Sequence, residues 1–99
     1  MVKHIVLFKL PVNINQEEKM DVMLKFKHAI EALPNVIKFI REIHVEININ
    51  PDEKWDLCLN SDFDTLQDVK NYSINPAHIA AASILKKFPG ERACVDYEY

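Results

Sequence analysis

The sequence predicts an α+β fold, with four strands in one antiparallel sheet and helices on one side of it. Three observations predict this. Alternating apolar residues mark both the first and the last ten positions, a stripe at helical spacing follows the first of these runs, and a β-rich hairpin separates that helix from a second helical stretch.

Val2 to Leu10 alternates as a strand, with His4, Val6, Phe8 and Leu10 on one face and Lys3, Ile5, Leu7 and Lys9 on the other. Both faces carry apolar residues, so both need cover, and Pro11 ends the run. Asn15-Gln16-Glu17-Glu18 reads as a capping box, with Asn15 as N-cap. The helix it opens shows Met23, Phe26, Ile30 and Leu33 at spacings of three and four, flanked by Met20 and Ala29, and Pro34 is expected to stop it.

Val36 to Ile49 is rich in β-branched residues and reads as a second strand, with a bulge where Arg41 interrupts the apolar face. A turn at Asn48 to Asp52 returns the chain into a third strand, Trp55 to Phe63. Asp64 with Gln67 reads as another capping box, opening a short helix that carries Leu66, Val69 and Tyr72. Asn75-Pro76 starts a further helix to about Lys87, with Ile79, Ala82, Ser83 and Leu85 or Lys86 expected inside. Pro89-Gly90 breaks it. Arg92 to Tyr99 is the last strand, with Arg92, Cys94 and Asp96 on one face and Ala93, Val95, Tyr97 and Tyr99 on the other.

Right-handed crossovers then place both helical connections on one side of the sheet, which is the ferredoxin-like β-α-β-β-α-β arrangement. Residues 1–99 are expected to form a single domain. Ile5, Leu7, Ile40, Val95 and Tyr97 would be bare on the other sheet face, so a homodimer packed through that face is expected.

Composition narrows the function classes. The net charge is −3 and no run of Lys or Arg occurs, which argues against a nucleic-acid partner. One glycine in the whole chain leaves no room for a Walker loop or a dinucleotide-binding fingerprint, and no cofactor is expected. Ile5 to Phe8 is too short for a membrane span or a secretory core, so the cytoplasm is the expected location. Cys58 and Cys94 lack metal or redox spacing and read as two buried free thiols, with a single disulfide as the alternative.

The chemistry concentrates in Asn71 to His78. Pro76 puts His78 in the first turn of a helix, where the helix dipole favours a neutral imidazole. His78 is a candidate base or ligand partner, or else a histidine that simply packs the loop. Tyr72 ends the preceding helix on its inner side and either buries its ring or offers its hydroxyl to developing enolate charge. Asp96 faces the helices and either orients His78 or pairs with Arg92. His4 faces the same way and reads first as a core histidine. His44, between Glu42 and Glu46, and His28, among lysines, read as solvated faces, and no metal site is expected.

With these pieces placed, the chain resembles the stress-responsive α/β-barrel (Dabb) family over nearly its whole length. The residues that carry the resemblance are Val2-Lys3-His4, Phe63 leading a helix that ends in Tyr72, Pro76-x-His78, and Asp96-Tyr97. It implies a homodimer whose two sheets pack into a dimeric α/β barrel. Some plant members are similar to polyketide cyclases, which close a poly-β-keto chain by aldol chemistry between sheet and helices. They carry a Tyr and a His at the positions of Tyr72 and His78, and a His at that of His4. Asn75 stands here where those members have another His, and Met23, Phe26 and Ala81-Ala82 replace groups of different shape.

If the protein is catalytic, proton abstraction α to a carbonyl is expected, with His78 as base, Tyr72 as oxyanion partner and Asp96 as orienter. A small, largely apolar, carbonyl-containing ligand is expected between sheet and helices, lined by His4, Val6, Phe8, Met23, Phe26, Leu59, Ile79 and Cys94. A non-catalytic homodimer with a side-chain-filled cavity is the alternative. Similar barrels also host monooxygenase chemistry, by analogy of fold alone.

Overall fold

The computed structural model describes residues 1–99. Its elements are β1 (Val2–Lys9), α1 (Gln16–Glu31), a 3₁₀ turn (Leu33–Asn35), β2 (Glu42–Ile47), β3 (Leu57–Phe63), α2 (Leu66–Ile74), α3 (Pro76–Lys86) and β4 (Glu91–Glu98). The strands form one antiparallel sheet in the order β2-β3-β1-β4, the ferredoxin-like arrangement. The register sets His4 opposite both Ser61 and Asp96, and Val6 opposite Leu59 and Cys94.

The Asn15 side chain caps α1 by accepting from the Glu18 amide at 2.8 Å. Val22, Met23, Phe26 and Ile30 of this helix are buried against the sheet, whereas Met20 is exposed. Asp56 ties the helix to the sheet. Its carboxylate meets Lys19 at 2.8 Å and accepts from the Leu10 amide at 2.7 Å. Burial pushes this carboxyl up, but Lys19 and the Leu10 amide outweigh that and hold it below the usual range.

Three local expectations give way. Residues 36–41 do not extend as strand, because Val36 and Ile37 donate back to Leu33, and Ile40 to Ile37. This turn buries Ile37 and Ile40, so Ile40 belongs to the core and not to the bare sheet face. Arg41 makes no bulge. Its amide joins the Asp62 carbonyl, and its guanidinium grips Asp64 with two bonds at 2.9 and 2.5 Å. With Asp64 so engaged, Thr65 takes over as N-cap of α2 and accepts from the Asp68 amide at 3.1 Å.

On α3 Ala81 is buried, and Ala77, Ile84 and Leu85 are half-buried against the core on the same side. Ile79 lies two residues, about 200°, from Ala77 and turns outward at 46% exposure. Neither cysteine is buried. Both are free thiols, Cys58 half-buried on the uncovered sheet face and Cys94 exposed on edge strand β4. Gly90 lets β4 pass close to the end of β1, since a Cβ there would stand 1.8 Å from the Lys9 carbonyl oxygen. Close approach is what needs glycine here, because its φ is not positive.

Candidate functional site

A cavity of about 290 Å³ lies between the β1–β4 half of the sheet and the helices. His4, Val6 and Phe8 of β1 and Leu59 of β3 form its floor. Phe26, Tyr72, His78, Ala82 and Leu85 form its walls, Lys9 and Phe88 add half-buried side chains, and the exposed Lys86 and Arg92 mark its mouth. The inner face of β4 supplies polar residues, and α3 answers them with alanines. Neither fills the gap.

Tyr72 is 1% exposed, and α2 carries its ring among Phe63, His4 and His78, at centroid distances of 5.2, 6.0 and 4.3 Å. Its hydroxyl is buried with no hydrogen-bond partner. Burial pushes this phenol well above its ordinary range, against a small opposing pull from Arg92, so it stays protonated.

Asn75 caps α3 by accepting from the Ala77 amide at 2.9 Å, which sets the first turn and so the position of His78. His78 Nδ1 lies 3.1 Å from the Ser73 carbonyl. A carbonyl only accepts, so Nδ1 carries the proton and Nε2 keeps its lone pair. Burial lowers the pKa of His78, aided by His4 and Arg92 and opposed by the Ser73 bond. The ring is neutral at pH 7.

His4 is the second imidazole of the site. Its Nδ1 is 2.5 Å from Asp96 Oδ1, across the β1–β4 pair. The carboxylate accepts, so Nε2 is again the nitrogen left to the cavity. Asp96 therefore orients His4; it neither reaches His78 nor pairs with Arg92. Cys94 Sγ lies 3.7 Å from the same His4 nitrogen. Burial and the Asp96 carboxylate push this thiol up, against the pull of Arg92, so it is no thiolate nucleophile.

Of the residues singled out from the sequence, His78, Tyr72, His4, Val6, Phe8, Phe26 and Leu59 meet at the cavity. Met23 is packed in the core, Ile79 faces outward, and Cys94 and Asp96 sit beside His4 and outside the lining. Sequence reasoning did not place Leu85, Phe88, Lys9, Lys86 or Arg92 in the lining. Arg92 carried a usable signal, because it shares the parity of Cys94 and Asp96 and so faces the helices.

The model of the stress responsive A/B barrel domain matches residues 2–99. The chain belongs to the Dabb family. An uncharacterized protein of Streptomyces coelicolor is 30% identical over 100 residues, covering all of both chains. A dimeric protein of unknown function and ferredoxin-like fold from Bacteroides fragilis is 55% identical, with a TM-score of 0.97 over 99% of this chain and 95% of that one. Hydroxynitrile lyase from Passiflora edulis shares the Dabb chain's fold with a TM-score of 0.71, at 16% identity over 97% of this chain and 90% of its own. No helix of this Dabb chain is long and apolar enough to cross a membrane.

Proposed function

We propose that this Dabb protein binds a small, largely apolar carbonyl compound in the cavity and removes a proton α to its carbonyl. The observation that carries this reading is Tyr72, whose side chain lines a cavity walled largely by hydrocarbon and whose buried hydroxyl has no partner. An unpaired buried hydroxyl costs about 1–3 kcal/mol, which a ligand acceptor recovers on binding. Because the phenol stays protonated, it donates to the carbonyl oxygen and stabilises the enolate as charge develops.

Two imidazoles flank that donor, and their surroundings divide the work. His4 is held by Asp96, which fixes the tautomer and faces the positive charge formed when Nε2 takes the substrate proton. His78, neutral and pinned to Ser73, packs its ring 4.3 Å from that of Tyr72 and so helps hold the phenol at the polar end of the cavity. The open cavity favours this over a non-catalytic protein with a filled interior.

Residues 1–99 act as one domain and pair as a homodimer through the uncovered sheet face, where Val95 and Tyr97 are 53% and 44% exposed. The dimeric Bacteroides fragilis relative supports that pairing. The two free thiols support a reducing, cytoplasmic setting.

Hydrogen–deuterium exchange at the α-carbon of 4-phenylbutan-2-one, followed by proton NMR in D₂O, tests the assignment. The wild type should accelerate exchange over buffer. His4→Gln and Tyr72→Phe should each lose about 10²-fold or more, and Asp96→Asn should lose less. Wild-type rates in both His4→Gln and Tyr72→Phe would remove these residues from the chemistry.

A further inference from the structure

The geometry points to a ligand that carries a carboxylate as well as its carbonyl: an apolar-bodied oxo acid whose anionic end is held by Arg92 at the cavity mouth. This rests on the cavity being a binding site, as proposed above, and adds the charge of what enters it.

Three cationic side chains line the cavity, Lys9, Lys86 and Arg92, against one acid, Glu91. Glu91 is held by Lys54 at 2.9 Å, outside the lining. Lys9 stands 3.6 Å from Asp56 and donates to the Leu10 carbonyl at 3.0 Å. Asp96, the acid that shares Arg92's strand face, is taken by His4 at 2.5 Å. Arg92 is thus left with no carboxylate of its own, in a protein whose net charge is −3. A guanidinium that lines an apolar cavity while every nearby acid is engaged elsewhere is a receptor for an anion from outside.

Arg92 is also well placed for that role. The β1–β4 register sets it opposite Phe8 on the cavity floor, so a rigid strand fixes the position of its Cα. Its positive charge is felt at both Tyr72 and His78, which ties the mouth to the polar end. A ligand spanning the two would set its carbonyl oxygen on Tyr72 and its carboxylate on Arg92, with hydrocarbon against Phe26, Leu59 and Leu85. The planar fork of Arg suits a carboxylate through two parallel bonds, which a lysine cannot reproduce. At about 290 Å³ the cavity takes a small acid, at the lower end of ligand-sized pockets.

Calorimetric titration with 4-phenylbutanoate and its neutral isostere 4-phenylbutanamide tests the inference, on wild type, Arg92→Gln, Arg92→Lys and Lys86→Gln. The acid should bind at least about tenfold more tightly than the amide, and the preference should shrink as salt is raised. Arg92→Gln should abolish the preference, Arg92→Lys should keep part of it, and Lys86→Gln should leave most of it. Arg92 is exposed, so these variants should fold normally. Equal binding of acid and amide by wild type would overturn the carboxylate and leave the cavity reading intact. A preference that survives Arg92→Gln would overturn the assignment to Arg92. Failure of both probes to bind would overturn the cavity reading and this inference together.

Discussion

One half of the sheet is sealed and the other is not. On β2 and β3 the inward residues Ile43, Val45, Leu57 and Leu59 are none of them more than 5% exposed, and the 16-residue α1 packs on β2. Toward β4 the cover is thinner: α2 and α3 are shorter helices, and β4 has a single residue that is even partly buried. The cause lies in the residues that face the helices. β2 presents Ile43 and Val45, whereas β4 presents Arg92, Cys94 and Asp96 to an alanine-rich helix. Hydrocarbon meeting hydrocarbon closes the first half. Small side chains meeting polar ones leave the second half with a space and with groups that can act in it. The close-packed core and the open cavity fall on opposite halves of one sheet.

The largest expected effect comes from a residue on the sealed side. Leu57 is 1% exposed, and Leu57→Ala should cost about 2–5 kcal/mol in urea unfolding. Leu85→Ala, at the cavity wall, should cost about 1 kcal/mol, because that side chain is only half-buried and its site is already open. Equal costs would mean that the two halves are packed alike.

Gly90→Ala should come next, at about 1–3 kcal/mol. The new methyl group would strike the Lys9 backbone, and the strand must shift to relieve it. Thermal unfolding would read the loss, and binding of 4-phenylbutanoate should weaken in the same variant because the floor and mouth move apart.

The smallest effect is the pH dependence contributed by His78. Its pKa is lowered on folding from 6.5, so the unfolded chain binds the proton more readily. Stability is then fully present above about pH 6.5 and falls as pH drops through that value toward the folded pKa. His78→Gln should flatten this part of the profile in urea midpoints taken between pH 7.5 and 5. An unchanged profile would mean that the ring is more open to water than its place in the wall implies.

Much of this division was legible from residue order. Alternation located β1, β3 and β4, and the Asn15 and Asn75 caps located the starts of α1 and α3. Residues 36–41 misled because Val36, Ile37, Phe39 and Ile40 suit a strand and a buried turn equally well; apolar content alone does not separate the two. The Asp64 cap failed for a tertiary reason, since Arg41 claims that carboxylate from 23 positions away. At the site, parity correctly turned His4, Asp96 and Arg92 toward the helices. Parity does not say which of them meet, and the β1–β4 register settles it by setting His4 against Asp96. The exposed side of Ile79 was readable from helical spacing once Ala77 and Ala81 were taken as the inner stripe.

The bond between His4 and Asp96 joins positions 92 residues apart, and that separation has a consequence for how the protein comes into being. β1 is made first, yet its two neighbours are β3 and β4, which follow more than fifty and more than eighty residues later. A nascent β1 with apolar residues on both faces therefore waits, unpaired, through most of synthesis, in the condition that invites chaperone capture or association with other chains. Closing so long a loop comes late in folding. The candidate site is then among the last parts of the molecule to be assembled.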